Sequence, residues 1–203
     1  LTIARLENYI LSQAGQNDFI HKRRLSDGMI EPFHSDYYTG EVLFGLARGG
    51  RFTPQVAQLF GRLVESGYGS GVLSHWMCFA ACESFKRRLM EPSKSGPYIA
   101  RLVAAIVGDT AYRSRKQSTP IACRTEALLR FLQAERRAAL LGFGFDPGLV
   151  RAARQAAEEN LALQLGWHDA GQFHKGDGDL TVQIDYVQHN ATAFLAWRLL
   201  NRG

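Results

Sequence analysis

The chain has 203 residues, of which 46% are hydrophobic and 21% are charged, and its formal net charge is +5. These proportions exclude a disordered chain and indicate a folded protein long enough to bury one sizeable core. No apolar run reaches the roughly 18 residues of a membrane-spanning helix, so we predict no membrane span. The basic residues form short runs at predicted helix ends, where cations favour the helix dipole. We therefore expect no nucleic-acid partner, which would need one concentrated basic surface.

Helical spacing of apolar residues dominates the chain from its first segment, where Ile3, Leu6 and Ile10 form one stripe. Later segments begin with a capping residue or proline and end near a glycine, as in the stretch from Thr53 to Gly67. Four helices of this kind are predicted, within IARLENYILSQAG (3–15), TPQVAQLFGRLVESG (53–67), GPYIARLVAAIVGD (96–109) and DPGLVRAARQAAEENLALQLG (146–166).

Four further segments share a second pattern: a polar or aromatic start, then small residues, then an apolar end with arginine. They are SDYYTGEVLFGLARG (35–49), SHWMCFAACESFKRR (74–88), IACRTEALLRFLQAERR (121–137) and IDYVQHNATAFLAWRLL (184–200). Setting Asp36 against Asp185 aligns Tyr37 with Tyr186. Repeats of an outer and an inner helix predict stacked α-hairpins, because one hairpin cannot bury both of its faces alone.

The sequence offers thin evidence for β-strands. DLTVQIDYV (179–187) alternates only briefly and runs directly into an apolar helix. GQFHKGDGDL (171–180) is interpreted as a mobile glycine-rich connection. Its Asp177 and Asp179 lack the remaining ligands of a calcium-binding loop. We therefore predict an all-α fold with residues 1–203 as a single helical domain.

The repeats resemble the α/α-toroid superfamily, which includes six-hairpin glycosidases, uronyl epimerases, terpene cyclases and lanthionine cyclases. The resemblance rests on YYTGEVLFGLAR (37–48), GWHDAGQFHKGDGDL (166–180) and IDYVQHNATAFL (184–195). It implies an α/α toroid whose inner helices begin around a central funnel. The sequence contains four hairpins where a complete toroid has six, so it predicts a partial toroid or a piece of a longer protein.

In such a toroid, the first turns of the inner helices line the funnel, so their polar residues become candidate site residues. Carboxylates, imidazoles and tyrosines suit acid and base chemistry on sugars, aromatic faces stack on sugar rings, and an arginine can hold a carboxylate. The candidate catalytic residues are Asp36, Glu41, Asp185 and His189. The candidate substrate-binding residues are His34, Tyr37, His75, Trp76, Arg124, Glu126, Tyr186, Trp167 and His174.

These residues predict a carbohydrate-active enzyme, such as a glycoside hydrolase, a lyase or a uronyl epimerase, with a glycan or small molecule in the funnel. Structural roles compete with that prediction: Asp36 and Asp185 are placed to cap helices, Glu41 and Glu126 to tie neighbouring hairpins, and His189 to be a satisfied core residue. The alternative function is a non-catalytic helical-repeat module that binds a peptide, a glycan or a partner domain.

The chain has three cysteines, Cys78, Cys82 and Cys123, a small and odd number that argues against a disulfide framework. This favours a reducing, cytoplasmic location. Cys78 and Cys82 are one helical turn apart, but no CxxC pair, HExxH motif or Cys-His dipeptide accompanies them. We expect buried apolar cysteines, no metal and no cofactor.

Overall fold

The computed structural model describes residues 2–202, which form a mainly helical structure with one small β-sheet. The α-helices are α1 (Thr2–Ser12), α2 (Tyr38–Gly49), α3 (Pro54–Ser66), α4 (His75–Lys86), α5 (Pro92–Gly108), α6 (Ala111–Ser114), α7 (Ser118–Ala138), α8 (Pro147–Leu165) and α9 (Ile184–Leu200). A short 3-10 helix, Ala139–Leu141, follows α7. No helix within residues 2–202 combines the length and hydropathy that crossing a bilayer requires.

The helix ends follow the capping residues read from the sequence. The hydroxyl of Thr53 accepts a hydrogen bond from the backbone nitrogen of Val56 at 3.3 Å, and α3 ends at Gly67, whose φ is +70°. The carboxylate of Asp146 accepts from the backbone nitrogen of Leu149 at 2.7 Å at the start of α8. These side chains satisfy amide groups that a helix start leaves unpaired.

The chain divides into two compact units, the first ending at Arg101 and the second beginning at Leu102, so that the division falls within α5. In the first unit α2 packs directly on α4. Gly40 permits this approach, because a Cβ there would lie 2.6 Å from the backbone nitrogen of Met77. Leu43 and Phe60 are fully buried in this unit. The prediction of one single domain stays a prediction.

In the second unit the long helix α7 packs against both α8 and α9. The sheet contains β1 (His168–Asp169), β2 (Gln172–Gly176) and β3 (Asp179–Val182), in that order and antiparallel. Strand β2 lies against α7 and α9. In this unit the sheet therefore adjoins the start of α7, where Gln117 bridges to Gly176, and directly precedes α9.

The sheet corrects two predictions about residues 168–182. The mainly helical structure supports the predicted all-α class, and the toroid arrangement stays a prediction. The small sheet was not predicted, and the supposed mobile connection forms two paired strands. The turns depend on Gly171 and Gly178, whose φ angles of +83° and +73° are easily reached only by glycine. Lys175 pairs with Asp179 across β2 and β3 at 2.7 Å. The glycines that suggested mobility are thus the turn residues of two hairpins.

Candidate functional site

The segment between α1 and α2 gathers three potential ligand residues in the first unit. Isolated bridges, Ala14 to Phe19 and Arg23 to Ile30, fold this segment back on itself. Donor atoms of Asp18, His21 and His34 consequently lie within 4.8 Å of one another. Thr39 from the first turn of α2 and Tyr68 from the turn after α3 complete the cluster. We call these five residues, Asp18, His21, His34, Thr39 and Tyr68, the His34 network.

The tautomer of His21 follows from a backbone hydrogen bond. The amide N–H of Ser35 donates to Nδ1 of His21 at 2.8 Å, so Nδ1 carries a lone pair and the ring proton is on Nε2. Nε2 donates to the hydroxyl of Thr39 at 3.0 Å, and that hydroxyl donates to Oδ1 of Asp18 at 2.5 Å. Both of these hydrogen bonds therefore direct a proton towards the Asp18 carboxylate.

Tyr68 and His34 approach Asp18 from the other side. The Tyr68 hydroxyl donates to Oδ2 of Asp18 at 3.2 Å and lies 2.9 Å from Nε2 of His34. Burial raises the pKa of Tyr68 to about 12; the Thr39 hydrogen bond opposes this and the Asp18 charge reinforces it. Tyr68 therefore keeps its proton at neutral pH. The His34 side chain is 56% exposed, so it is the part of the network that a ligand can reach.

The arrangement suits proton transfer better than metal binding. A metal bound at Nε2 of His21 needs that atom deprotonated, but the Ser35 amide occupies the lone pair of Nδ1 and leaves the proton on Nε2. Among residues 2–202, Asp18, His21 and His34 are the group whose donor atoms are close enough for one ion. The three cysteines are free and buried and belong to no such group within the described residues.

The other predicted residues of the first unit lie around the start of α2 and α4. Asp36 is exposed, 3.9 Å from Nδ1 of His34, and makes no capping hydrogen bond to α2, whose N-cap is Tyr37. Glu41 is exposed in the first turn of α2, whereas Glu126, which was expected to tie neighbouring hairpins in the same way, is buried. His75 begins α4, is buried, and contacts the ring of Tyr37 at 5.7 Å between ring centroids.

Trp76 belongs to an aromatic cluster in the same unit. Its ring lies 5.1 Å from that of Phe79 and 6.1 Å from that of Phe44, measured between centroids. Phe44 comes from α2 and the other two residues from α4. This cluster joins the two predicted inner helices by aromatic packing.

In the second unit three predicted residues meet at one imidazole. Nδ1 of His189 is 2.7 Å from Oε1 of buried Glu126, and Nε2 is 3.4 Å from Oδ1 of exposed Asp185. Burial disfavours charge on His189, but hydrogen bonds with Cys123 and Glu126 outweigh it and raise the pKa to about 10. His189 is therefore a cation at neutral pH. Asp185 lies inside α9 and accepts from Thr119 at 3.4 Å instead of capping the helix.

The remaining predicted residues near this imidazole are held by neighbouring groups. Burial raises the pKa of the Cys123 thiol, so the thiol stays protonated at neutral pH. The Arg124 guanidinium lies 5.8 Å from the centre of the Tyr112 ring and donates to the carbonyl of Pro120. The backbone carbonyl of Tyr186 accepts from the Asn190 amide at 2.7 Å.

Trp167 and His174 lie at the sheet of the second unit. They line a cleft of about 330 Å³ together with His168 and Asp177. The indole nitrogen of Trp167 donates to Asp177 at 2.7 Å, and the side chain is only 7% exposed overall. Asp177 therefore positions the Trp167 ring at the cleft.

Sequence reasoning missed Asp18, His21, Thr39 and Tyr68. His21 was assigned to a basic run at a helix end, whereas the run lies between α1 and α2. The spacing of Asp18 and His21, an Asp followed three residues later by a His, was the available signal. The sequence held no such signal for Tyr68, because this residue lies in a glycine-rich segment that predicts only a turn.

Comparison with known proteins identifies no relative: no family model, no curated protein and no solved structure matches this chain. The resemblance to the α/α-toroid superfamily accordingly stays a prediction.

Proposed function

We propose that this chain is a carbohydrate-active enzyme that works by proton transfer, with His34 as its base and Tyr68 as its acid. One observation carries the proposal: the exposed imidazole of His34 lies 2.9 Å from the Tyr68 hydroxyl, which Asp18 holds. A general base works best when a second group behind it fixes its orientation, and Tyr68 supplies that contact to His34.

The two ends of this pair have different tasks. Tyr68, whose pKa is raised to about 12, is the proton donor, and the solvent-facing ring of His34 takes a proton from the substrate. Asp18 and Thr39 orient Tyr68 without meeting the substrate, because they lie behind it in the network. Asp36 lies beside His34 at the surface, and Tyr37, the next residue, is also exposed, so both are candidate binding groups.

The wider proposal retains the toroid, the central funnel and the cytoplasmic location. The toroid is supported by outer and inner helices that alternate from α2 to α9, and by direct packing of the inner helices α2 on α4 and α7 on α9 within their own units. The cytoplasmic location is supported by three cysteines that are free rather than paired.

The test is a screen of neutral and acidic polysaccharides with three readouts: new reducing ends, absorbance of unsaturated sugars, and deuterium incorporated into sugar carbons in D₂O. His34→Gln and Tyr68→Phe should lower the rate by about 10²–10⁴, the usual contribution of a general acid or base. Lys94→Gln changes an exposed residue outside the network and outside the clefts of both units, and should leave the rate unchanged. No turnover across the screen, or full activity in His34→Gln, would refute the proposal.

A second candidate is the non-catalytic helical-repeat module, and the second unit favours it. His189 lies between Glu126 and Asp185, so the imidazole occupies the space in which a glycosidase pair would bind its substrate. A buried ion pair joining α7 to α9 is then a structural tie. This candidate predicts that variants of His34 and Tyr68 change stability alone, with no turnover to lose.

A further inference from the structure

A second feature of the first unit adjoins the His34 network. A cleft of about 220 Å³ lies between α1, the segment at residues 19–23 and α2. Its residues include Tyr9, Phe19, Lys22, Arg23, Tyr38 and Glu41. We call it the tyrosine cleft. It is smaller than the roughly 300–1,000 Å³ of drug-sized ligand pockets, so its size suits one small ring.

The side chains of the cleft define the chemistry of that ring. Tyr9 and Tyr38 are 59% and 43% exposed, which leaves aromatic faces open for stacking on a sugar. The lining carries the cations Lys22 and Arg23 and one carboxylate, Glu41. Glu31, outside the lining, pairs with Lys22, so these four charges balance. A ligand carboxylate that replaces Glu31 at Lys22 would favour an anionic ring over a neutral one.

The cleft also touches the network. His21 lines it, and the ring of His21 stacks on that of His34 at 4.6 Å between centroids. The ring of Tyr38 lies 5.7 Å from that of His21. A ligand ring in the cleft is therefore separated from the exposed imidazole of His34 by a single side chain.

We propose that the tyrosine cleft binds the carboxylate-bearing ring of an acidic sugar beside His34. The proposal rests on the proposed function and deepens it by naming the substrate class.

Lys22 and its partner Glu31 provide a test, because removing one charge should weaken ligand binding and removing the other should strengthen it. Its ammonium group pairs with Glu31 at 2.7 Å on the surface, and the side chains are 56% and 35% exposed. Lys22→Gln removes the cation, whereas Glu31→Gln releases it for a ligand. Both changes cost little stability, because exposed ion pairs contribute little. Lys94→Gln and Glu65→Gln make the same charge changes at exposed residues outside the cleft lining.

The experiment measures binding of D-glucuronate, D-glucose and acetate by isothermal titration calorimetry and saturation-transfer NMR. Wild-type protein should bind glucuronate with a dissociation constant of about 1 mM or tighter, and glucose and acetate much more weakly. Lys22→Gln should weaken glucuronate binding about fivefold and Glu31→Gln should strengthen it about threefold. The Lys94 and Glu65 variants should match the wild type.

Three outcomes would overturn the proposal. Equal binding of glucose means that the cleft does not select an anion, and equal binding of acetate means that the ring contributes nothing. Glucuronate binding that is absent, or that ignores the Lys22 and Glu31 changes, means that the cleft is not the site. His34→Gln should keep full glucuronate affinity while losing turnover. If glucuronate binding weakens in Lys22→Gln but the wild-type protein shows no turnover, the proposed function is refuted and the cleft remains a binding site.

Discussion

Glu126→Gln should destabilise the second unit in a pH-dependent manner, because it removes the carboxylate that keeps His189 charged. One pKa unit corresponds to about 1.4 kcal/mol, so the rise of the His189 pKa from 6.5 to about 10, to which Cys123 and Glu126 both contribute, sets a ceiling of about 5 kcal/mol on the part due to Glu126. Removing one member of a buried pair costs about 3–5 kcal/mol. Asp185 remains beside Nε2 and partly replaces the lost charge. We therefore expect a loss of about 3 kcal/mol at pH 6.

The sign of the pH dependence follows from the raised pKa. The stabilisation is fully present below the unfolded-state value of 6.5 and is lost as the pH rises through about 10. The difference between wild type and Glu126→Gln should thus shrink to less than about 1 kcal/mol by pH 10.5. Urea unfolding followed by circular dichroism and tryptophan fluorescence measures it. Asp185→Asn, at an exposed carboxylate, is the control and should cost less than about 1 kcal/mol. A loss in Glu126→Gln that is the same at every pH would refute the ionic argument.

The other predictions concern helix packing and helix ends. Gly40→Ala should cost about 1–3 kcal/mol because its Cβ would meet the backbone of Met77. Gly45→Ala, with no atom within 4 Å of its Cβ, should instead stabilise α2 by up to about 1 kcal/mol. Thermal unfolding compares the two, and equal effects would mean that α2 does not approach α4 closely. Thr53→Ala and Asp146→Ala should each lower the free energy of unfolding by about 1 kcal/mol, measured by urea titration. Thr53→Ser keeps the hydroxyl and should retain stability. An unchanged unfolding midpoint in either alanine variant would show that the side chain does not cap its helix.

The helices were predictable because their signals are local. Thr53 and Asp146 bond to amides three residues away, so the capping pattern is complete within one short stretch. The start of α5 was less accurate: the sequence placed it at Gly96 and Pro97, whereas the helix begins at Pro92 and includes Pro97. Pro97 is the sixth residue of the helix, beyond the four amides that a helix start leaves unpaired, so it removes one hydrogen bond within the helix, which nevertheless continues past it.

The network was beyond sequence reasoning because its members come from separate segments. Asp18 and Tyr68 are 50 residues apart, and their hydrogen bond depends on how the segment before α2 folds against the turn after α3. Periodicity describes helices and strands, and residues 13–37 are mostly neither. His34 was identified as a candidate from its place before an inner helix. Its partners could only come from the structure.

The hydrogen bond from Ser35 to His21 has a consequence for mutational tolerance. The donor is a main-chain N–H, which every amino acid except proline supplies at that position. The side chain at residue 35 can therefore change without moving the ring proton from Nε2 of His21. Ser35→Ala should preserve the tautomer, whereas Ser35→Pro would free Nδ1 to take the proton and leave Nε2 with a lone pair facing Asp18 and His34. One main-chain atom thus decides whether these residues form a proton-transfer network or a set of metal ligands.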